Sequence, residues 1–185
     1  MTAFRTLLGL PPYGPMATSF PGSFARTGRE GYVVEFLPDT SHAWVGNFGP
    51  GLGGYSGVHS HSNGTDVIVF SKGSGYVIDL ATRELKKELA GAVASVWEVE
   101  SPRGLVCNRQ GLAFFRIGPA GLTWHTRRLS FDGFRDVALT PDRIVGLAWG
   151  LDDSWMPFEV DLATGSSYGG SVPEEIDRDW ETLAK

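Results

Sequence analysis

The chain has 185 residues, of which 42% are hydrophobic and 20% charged, with a formal net charge of −5 and a single cysteine, Cys107. This composition is that of a globular domain with a sizeable core and excludes an intramolecular disulfide framework. No basic run suggests a nucleic-acid partner, and no apolar run reaches the length of a membrane span, so neither nucleic acid nor membrane is expected as a partner.

Residues 1–30 are rich in Pro, Gly, Ser and Thr, with scattered Phe4, Leu7, Leu8, Leu10, Phe20 and Phe24. They read as an irregular arm packed on the body by its aromatic residues. The short apolar stretch after Arg5 ends at Pro11-Pro12, too short for a secretory leader, and a cytoplasmic location is expected. Tyr32–Leu37 and His42–Phe48 then read as a hairpin across Pro38-Asp39. Gly49-Pro50-Gly51-Leu52-Gly53-Gly54 has the spacing of a dinucleotide-binding turn. That motif needs a helix behind it, and another strand follows, so a connector is expected.

Three four-strand units come next. The first is Val58–Ser62, Val67–Ser71, Tyr76–Leu80 and Glu84–Leu89, whose last run, Glu-Leu-Lys-Lys-Glu-Leu, also suits a helical turn. The second fills Val96–Leu129, with Gly/Pro-bearing turns at residues 102–104, 109–111 and 118–121. The third is Phe134–Thr140, Ile144–Trp149, Trp155–Leu162 and Ser167–Val172. Val67, Leu105 and Ile144 open equivalent strands at spacings of 38 and 39 residues. Asp79-Leu80-Ala81-Thr82 recurs as Asp161-Leu162-Ala163-Thr164. A period near 40 with four strands in each repeat is the pattern of propeller blades, each sheet needing a neighbour to cover its faces. Leu112–Ile117 and Arg143–Trp149 are apolar at successive positions, as strands covered on both sides are. Three units and a hairpin fall short of four full blades, so the arm must supply the missing strands or the array stays open. A two-sheet sandwich or barrel uses the same strand signals. After Pro173, Ile176, Trp180 and Leu183 fall on one face of an expected C-terminal helix over 173–185. The fold class expected is thus all-β, built of antiparallel four-stranded meander repeats with a short C-terminal helix, in a single domain.

Two resemblances bear on function. Trp124–Phe134, Phe158–Gly165 and Gly169-Gly170-Ser171 resemble a family of bacterial proteins with propeller-like four-strand repeats, which implies a fold and no particular activity. Gly53, His59-Ser60-His61, Asp66 and Gly73 are similar to the first motif of the cupin metal-binding barrels. Pro102-Arg103-Gly104 with Cys107 is similar to the second. The resemblance implies a transition metal held by His59, His61, Asp66 and Cys107, where the barrels have Glu in place of Asp66 and His in place of Cys107. Val96 and Gly111 stand where their leading Gly and their Asn would be.

With two of the four ligand types changed, no metal and no other cofactor is expected, and His59 and His61 read as residues of an edge strand. No nucleophile elbow, zinc-protease helix or P-loop motif is present, and no catalytic residue is assigned. The expected function is a non-catalytic binding or interaction module for a protein or small molecule. A cupin-like metal enzyme using His59 and His61 is the alternative. The expected ligand-binding residues are Trp149, Asp152, Asp153 and Trp155, because aromatic side chains dominate recognition and this pair flanks an acidic loop.

Overall fold

The computed structural model describes residues 3–37, 43–89, 91–100, 103–174 and 176. Among these, sixteen strands form four sheets of four, and the chain divides into two compact units, Met1–Val93 and Ala94–Lys185.

In the first unit, β1 (Ala3–Leu7), β2 (Thr18–Phe20), β3 (Tyr32–Leu37) and β4 (Trp44–Phe48) make one sheet in the order β1-β3-β4-β2. The arm therefore contributes both outer strands. β1 pairs antiparallel with β3, and β2 pairs parallel with β4. Valine and aromatic residues at β3 and β4 give the inner hairpin a strand-forming sequence, whereas β1 and β2 are short and are held by the edges they pair with. A 3-10 helix over Gly22–Thr27 leads from β2 back to β3. The second sheet is a meander of β5 (Gly57–Ser60), β6 (Asp66–Ser71), β7 (Ser74–Asp79) and β8 (Leu85–Leu89). The run whose residues equally suit a helical turn is the strand β8. Lys86 on it reaches Asp66 and Asp79 on β6 and β7, and this tertiary pairing overrides local helix propensity. Between the two sheets lies a core of Phe20, Val34, Phe36, Trp44 and Phe48 against Val67, Val69, Tyr76, Ile78 and Leu80. Phe36 stacks on Trp44 with ring centres 4.5 Å apart, and Phe20 on Phe48 at 5.1 Å.

The second unit holds two further meanders. The first is β9 (Val93–Glu100), β10 (Arg103–Arg109), β11 (Ala113–Gly118) and β12 (Gly121–His125). The second is β13 (Phe134–Leu139), β14 (Arg143–Trp149), β15 (Trp155–Asp161) and β16 (Ser167–Gly169). The border between the units falls inside β9. The core of this unit gathers Val99, Val106, Phe114, Trp124 and Leu129 with Ile144, Ala148, Phe158, Val160 and Leu162. Arg116 is buried among them, and its Nη1 donates to the Leu162 carbonyl at 2.7 Å. Trp124 Nε1 donates to the same oxygen at 3.0 Å. Burial lowers the pKa of Arg116. Above Trp124, Gly165 has φ +75° and lies so near that a Cβ there would stand 2.7 Å from the indole ring.

The fold is all-β, with three sequential four-stranded antiparallel meanders and one sheet of mixed pairing, a propeller-like repeat of sheets. Val67, Leu105 and Ile144, which set the repeat in the sequence, lie on the second strands of the second, third and fourth sheets. Residues 175 and 177–185 lie outside the described residues, and with them Trp180, Leu183 and most of the expected C-terminal helix. The same holds for His42 and Pro102. Among the described residues no helix is long and apolar enough to cross a membrane.

Candidate binding face

Among the described residues, the fourth sheet buries one face in a core and leaves the other partly exposed. Phe134, Ile144, Ala148, Phe158 and Val160 point into the core of the second unit. Strand alternation turns the residues between them to the opposite face. Along β14 these are Val145, Leu147 and Trp149, all half-buried. The register sets Trp149 directly opposite Trp155, Leu147 opposite Pro157, and Val145 opposite Glu159. Directly opposed residues share a face, so the two tryptophans form one cross-strand pair. β13 adds Arg135, whose guanidinium carbon lies 4.4 Å from the centre of the Trp155 ring. β16 adds Tyr168, opposite Glu159 and 83% exposed. The result is a continuous face of aromatic and apolar side chains flanked by charges. β11, by contrast, is buried at every position. Arg143–Trp149 has the same doubly apolar sequence and does not have the same cover.

The loop joining the two tryptophans is a tight structure of its own. Gly150 N–H donates to the Ser154 carbonyl at 2.8 Å, and Asp153 sits at φ +60°. Asp152 Oδ1 accepts from the Ser154 hydroxyl at 2.5 Å and from its backbone N–H at 3.2 Å. These two bonds, the hydroxyl first, hold the Asp152 carboxyl below its ordinary pKa. Asp152 thus shapes the turn, while the Asp153 side chain is exposed at its tip. On the other side of Trp149, its carbonyl accepts from the Ser130 and Ser171 hydroxyls and its N–H donates to Gly133. The four expected binding residues therefore lie together on one hairpin. Arg135 and Tyr168 complete the face from flanking strands. Their place in the sequence gives no sign of this, because it follows from register alone.

The histidines belong to a different setting. His59 Nε2 lies 2.8 Å from the Tyr55 hydroxyl, and its ring packs against Tyr55 and Phe70. His61 is buried, and its Nδ1 accepts from Asn63 N–H at 3.2 Å. Asp66 accepts from Asn63 Nδ2 at 2.8 Å, from Thr65 Oγ1 at 3.2 Å, and from Lys86 Nζ at 2.8 Å. Burial alone would raise its pKa, but these hydrogen bonds together outweigh it and leave the pKa lowered. Cys107 is fully buried on β10 of the second unit, where desolvation pushes its thiol far up. A protonated thiol is a poor metal ligand. Among the described residues no group of three or more His, Cys, Asp or Glu side chains is placed to hold a metal ion.

The glycine-rich stretch after β4 is a backbone packing device. Gly51 and Gly53 donate to the carbonyls of Ser71 and Lys72, Tyr55 donates to Val93, and Val93 in turn donates to Gly73. A Cβ on Gly53 would stand 2.5 Å from the Val93 oxygen and 2.9 Å from the Gly73 Cα. The glycines are needed because two segments of the chain cross closely here, and the next element is the strand β5, which offers no helix for a phosphate to sit against.

These features define a propeller-like array of four-stranded sheets with an apolar face on its last sheet. No protein-family model matches the chain, and no curated protein matches it. Among solved structures the chain is similar to Kuenenia stuttgartiensis Hydrazine Synthase, at 14% identity over 77% of this chain and 44% of that one, with a TM-score of 0.48. It is similar also to the Myceliophteria thermophila Cps50 (Swd1) beta-propeller domain, at 14% identity over 78% of this chain and 55% of that one, with a TM-score of 0.45. The chain spans about half the length of these two structures.

Proposed function

We propose that the chain is a non-catalytic protein-interaction module whose contact surface is the outer face of the fourth sheet. The observation that supports this reading is the half-exposed column Val145, Leu147 and Trp149 beside Trp155, with Arg135 laid on the Trp155 ring and Tyr168 at its edge. Tryptophan, tyrosine and arginine are the residues that dominate interface energetics, and a rigid sheet presents them with little conformational entropy to lose. Repeat arrays of sheets commonly serve to display such surfaces.

Affinity capture from the source cell tests the reading, with the wild-type chain compared against a Trp155→Ala, Tyr168→Ala double variant. Partners held by the wild type and lost by the variant, at unchanged melting temperature, are expected. Partners retained equally by both would place the contact surface elsewhere.

A further inference from the structure

We infer that the outer face of the fourth sheet docks on the same face of a second copy of the chain, in a two-fold pair whose strands run antiparallel. This names the partner of the contact surface proposed above and rests on that reading. The choice of partner starts from which sheets are closed. β6 and β11, central strands of the second and third sheets, are buried at every position, so each is covered on both faces. In the first sheet Val33 and Asn47 pair across β3 and β4, on the face turned from the core, and both are buried. The arm and the residue after it close over that face. Asn47 Nδ2 donates to Ser19 Oγ at 3.5 Å and to the Arg29 carbonyl at 3.2 Å, and Asn47 Oδ1 accepts from Gly31 N–H at 2.8 Å. Among the described residues the fourth sheet is the one with an open apolar face on a central strand, at Val145, Leu147 and Trp149 of β14. A sheet face is matched well by another sheet face, and the open one that a second copy offers is this same face.

The charges on the face fit a copy of itself. Trp149 and Trp155 mark one end, where Arg135 lies on the Trp155 ring and Asp153 stands exposed on the joining loop. The other end carries Arg143 and Glu159, ion-paired at 2.6 Å and each about half exposed. Leu147 and its cross-strand partner Pro157 lie midway. A two-fold axis in the plane of contact, running across the strands at Leu147 and Pro157, lays each end of one copy over the opposite end of the other. Arg135 then faces Glu159 of the second copy, and Asp153 faces its Arg143, with each pair formed twice. The Trp149 ring covers Val145, and Leu147 meets Leu147. Turning the second copy so that like ends meet would instead set Arg135 near Arg135 and Asp153 near Asp153. Like charges in juxtaposition are costly, so the charges select the antiparallel arrangement. One sheet face is at the small end of stable interfaces, and a dissociation constant in the micromolar range is expected.

Sedimentation equilibrium of the full chain over about 1 to 500 µM reads the association. A monomer–dimer equilibrium is expected. Leu147→Asp, which sets two carboxylates against each other on the axis, should leave a monomer. Arg135→Glu and Glu159→Lys, both at half-exposed positions, should each weaken association about tenfold or more at unchanged melting temperature. An equimolar mixture of these two variants should regain it, because every Arg135–Glu159 contact between the unlike chains again joins opposite charges. The charge variants decide the matter even if Leu147→Asp does not fold. The proposal is overturned if the wild type stays monomeric up to about 500 µM, which leaves the face to a different protein or to residues 177–185 of the chain itself. It is overturned equally if the charge variants associate as the wild type does, or if their mixture stays as weak as its components. Each of these results leaves the contact-surface reading standing where the Trp155→Ala, Tyr168→Ala variant still loses its captured partners. Partners retained equally by both chains would remove that reading as well.

Discussion

Lys86 lies between two carboxylates, 2.8 Å from Asp66 and 2.9 Å from Asp79, and ties β8 to the two central strands of its sheet. Asp79 also accepts backbone N–H groups from Ala81 and Thr82 at 2.9 and 3.0 Å, closing the turn that follows β7. Lys86 first and then the turn N–H groups bring its pKa from 3.8 down to about 2. Because the folded value is depressed, this contribution is fully present above the unfolded pKa and is lost as pH falls from about 4 to 2. Solvent screening limits such a pair to about 1 kcal/mol or less. Asp79→Asn should therefore lower the melting temperature by about 2–4 °C at pH 7, and the difference should close near pH 2. An Asp79→Asn deficit that persists undiminished at pH 2 would show that the turn hydrogen bonds, and not the charge, carry the effect. Asp161 repeats the turn, accepting from Ala163 and Thr164 at 3.0 and 2.8 Å. That much was legible in the repeated Asp-Leu-Ala-Thr. The lysine bridge was not, since β8 had to be a strand before Lys86 could reach across it.

At the scale of elements, the close crossing of Gly53 and Gly73 fixes how the turn between β6 and β7 meets the chain on either side. Gly73 has φ +84°, and a Cβ on it would stand 2.7 Å from the Gly53 Cα. Gly64, in the turn between β5 and β6, has nearly the same φ, +80°, with nothing within 4 Å of its Cβ position. The two glycines separate backbone strain from steric collision. Gly64→Ala should cost about 1 kcal/mol, the conformational penalty alone, whereas Gly73→Ala should cost about 3 kcal/mol or more. Urea midpoints of the two variants measure the difference, and equal losses would mean that the crossing relaxes. Strand positions were readable because turn residues punctuate a regular period. The contribution of β1 and β2 was less so, since short edge strands carry little hydrophobic alternation and take their conformation from the partner edge. The fourth-sheet face shows the same limit. Trp149 and Trp155 stood out on either side of a loop, but whether Val145 and Leu147 are covered depends on a neighbouring surface that the local sequence does not encode. Arg135 joins Trp155 only through the register, and the pairing of β13 with β14 shifts between Arg135 and Ala138.

At the scale of the whole molecule, each unit has its own core, yet the border between them cuts a strand, with Val93 and Ala94 consecutive residues of β9. Val93 donates to Gly73 and accepts from Tyr55, so the first residue of that strand is bonded within the first unit while the remainder builds the third sheet. Independent units usually meet at an exposed, flexible linker with few contacts across it, and a continuous strand is the opposite arrangement. We therefore expect the chain to unfold as a single domain. Scanning calorimetry distinguishes the cases by enthalpy. At about 0.7 kcal/mol per residue near 60 °C, the whole chain should absorb about 130 kcal/mol. A single cooperative transition requires a van't Hoff enthalpy of the same size, whereas two halves melting independently would each give about 65 kcal/mol and a van't Hoff to calorimetric ratio near one half. A ratio near one is expected. As a second readout, Gly73→Ala alters a residue of the first unit, so in a cooperative chain it should speed amide exchange in β14 of the second unit as much as in β6. Faster exchange in β6 with exchange in β14 unmoved would overturn the single-domain reading and make the two units separate folding bodies.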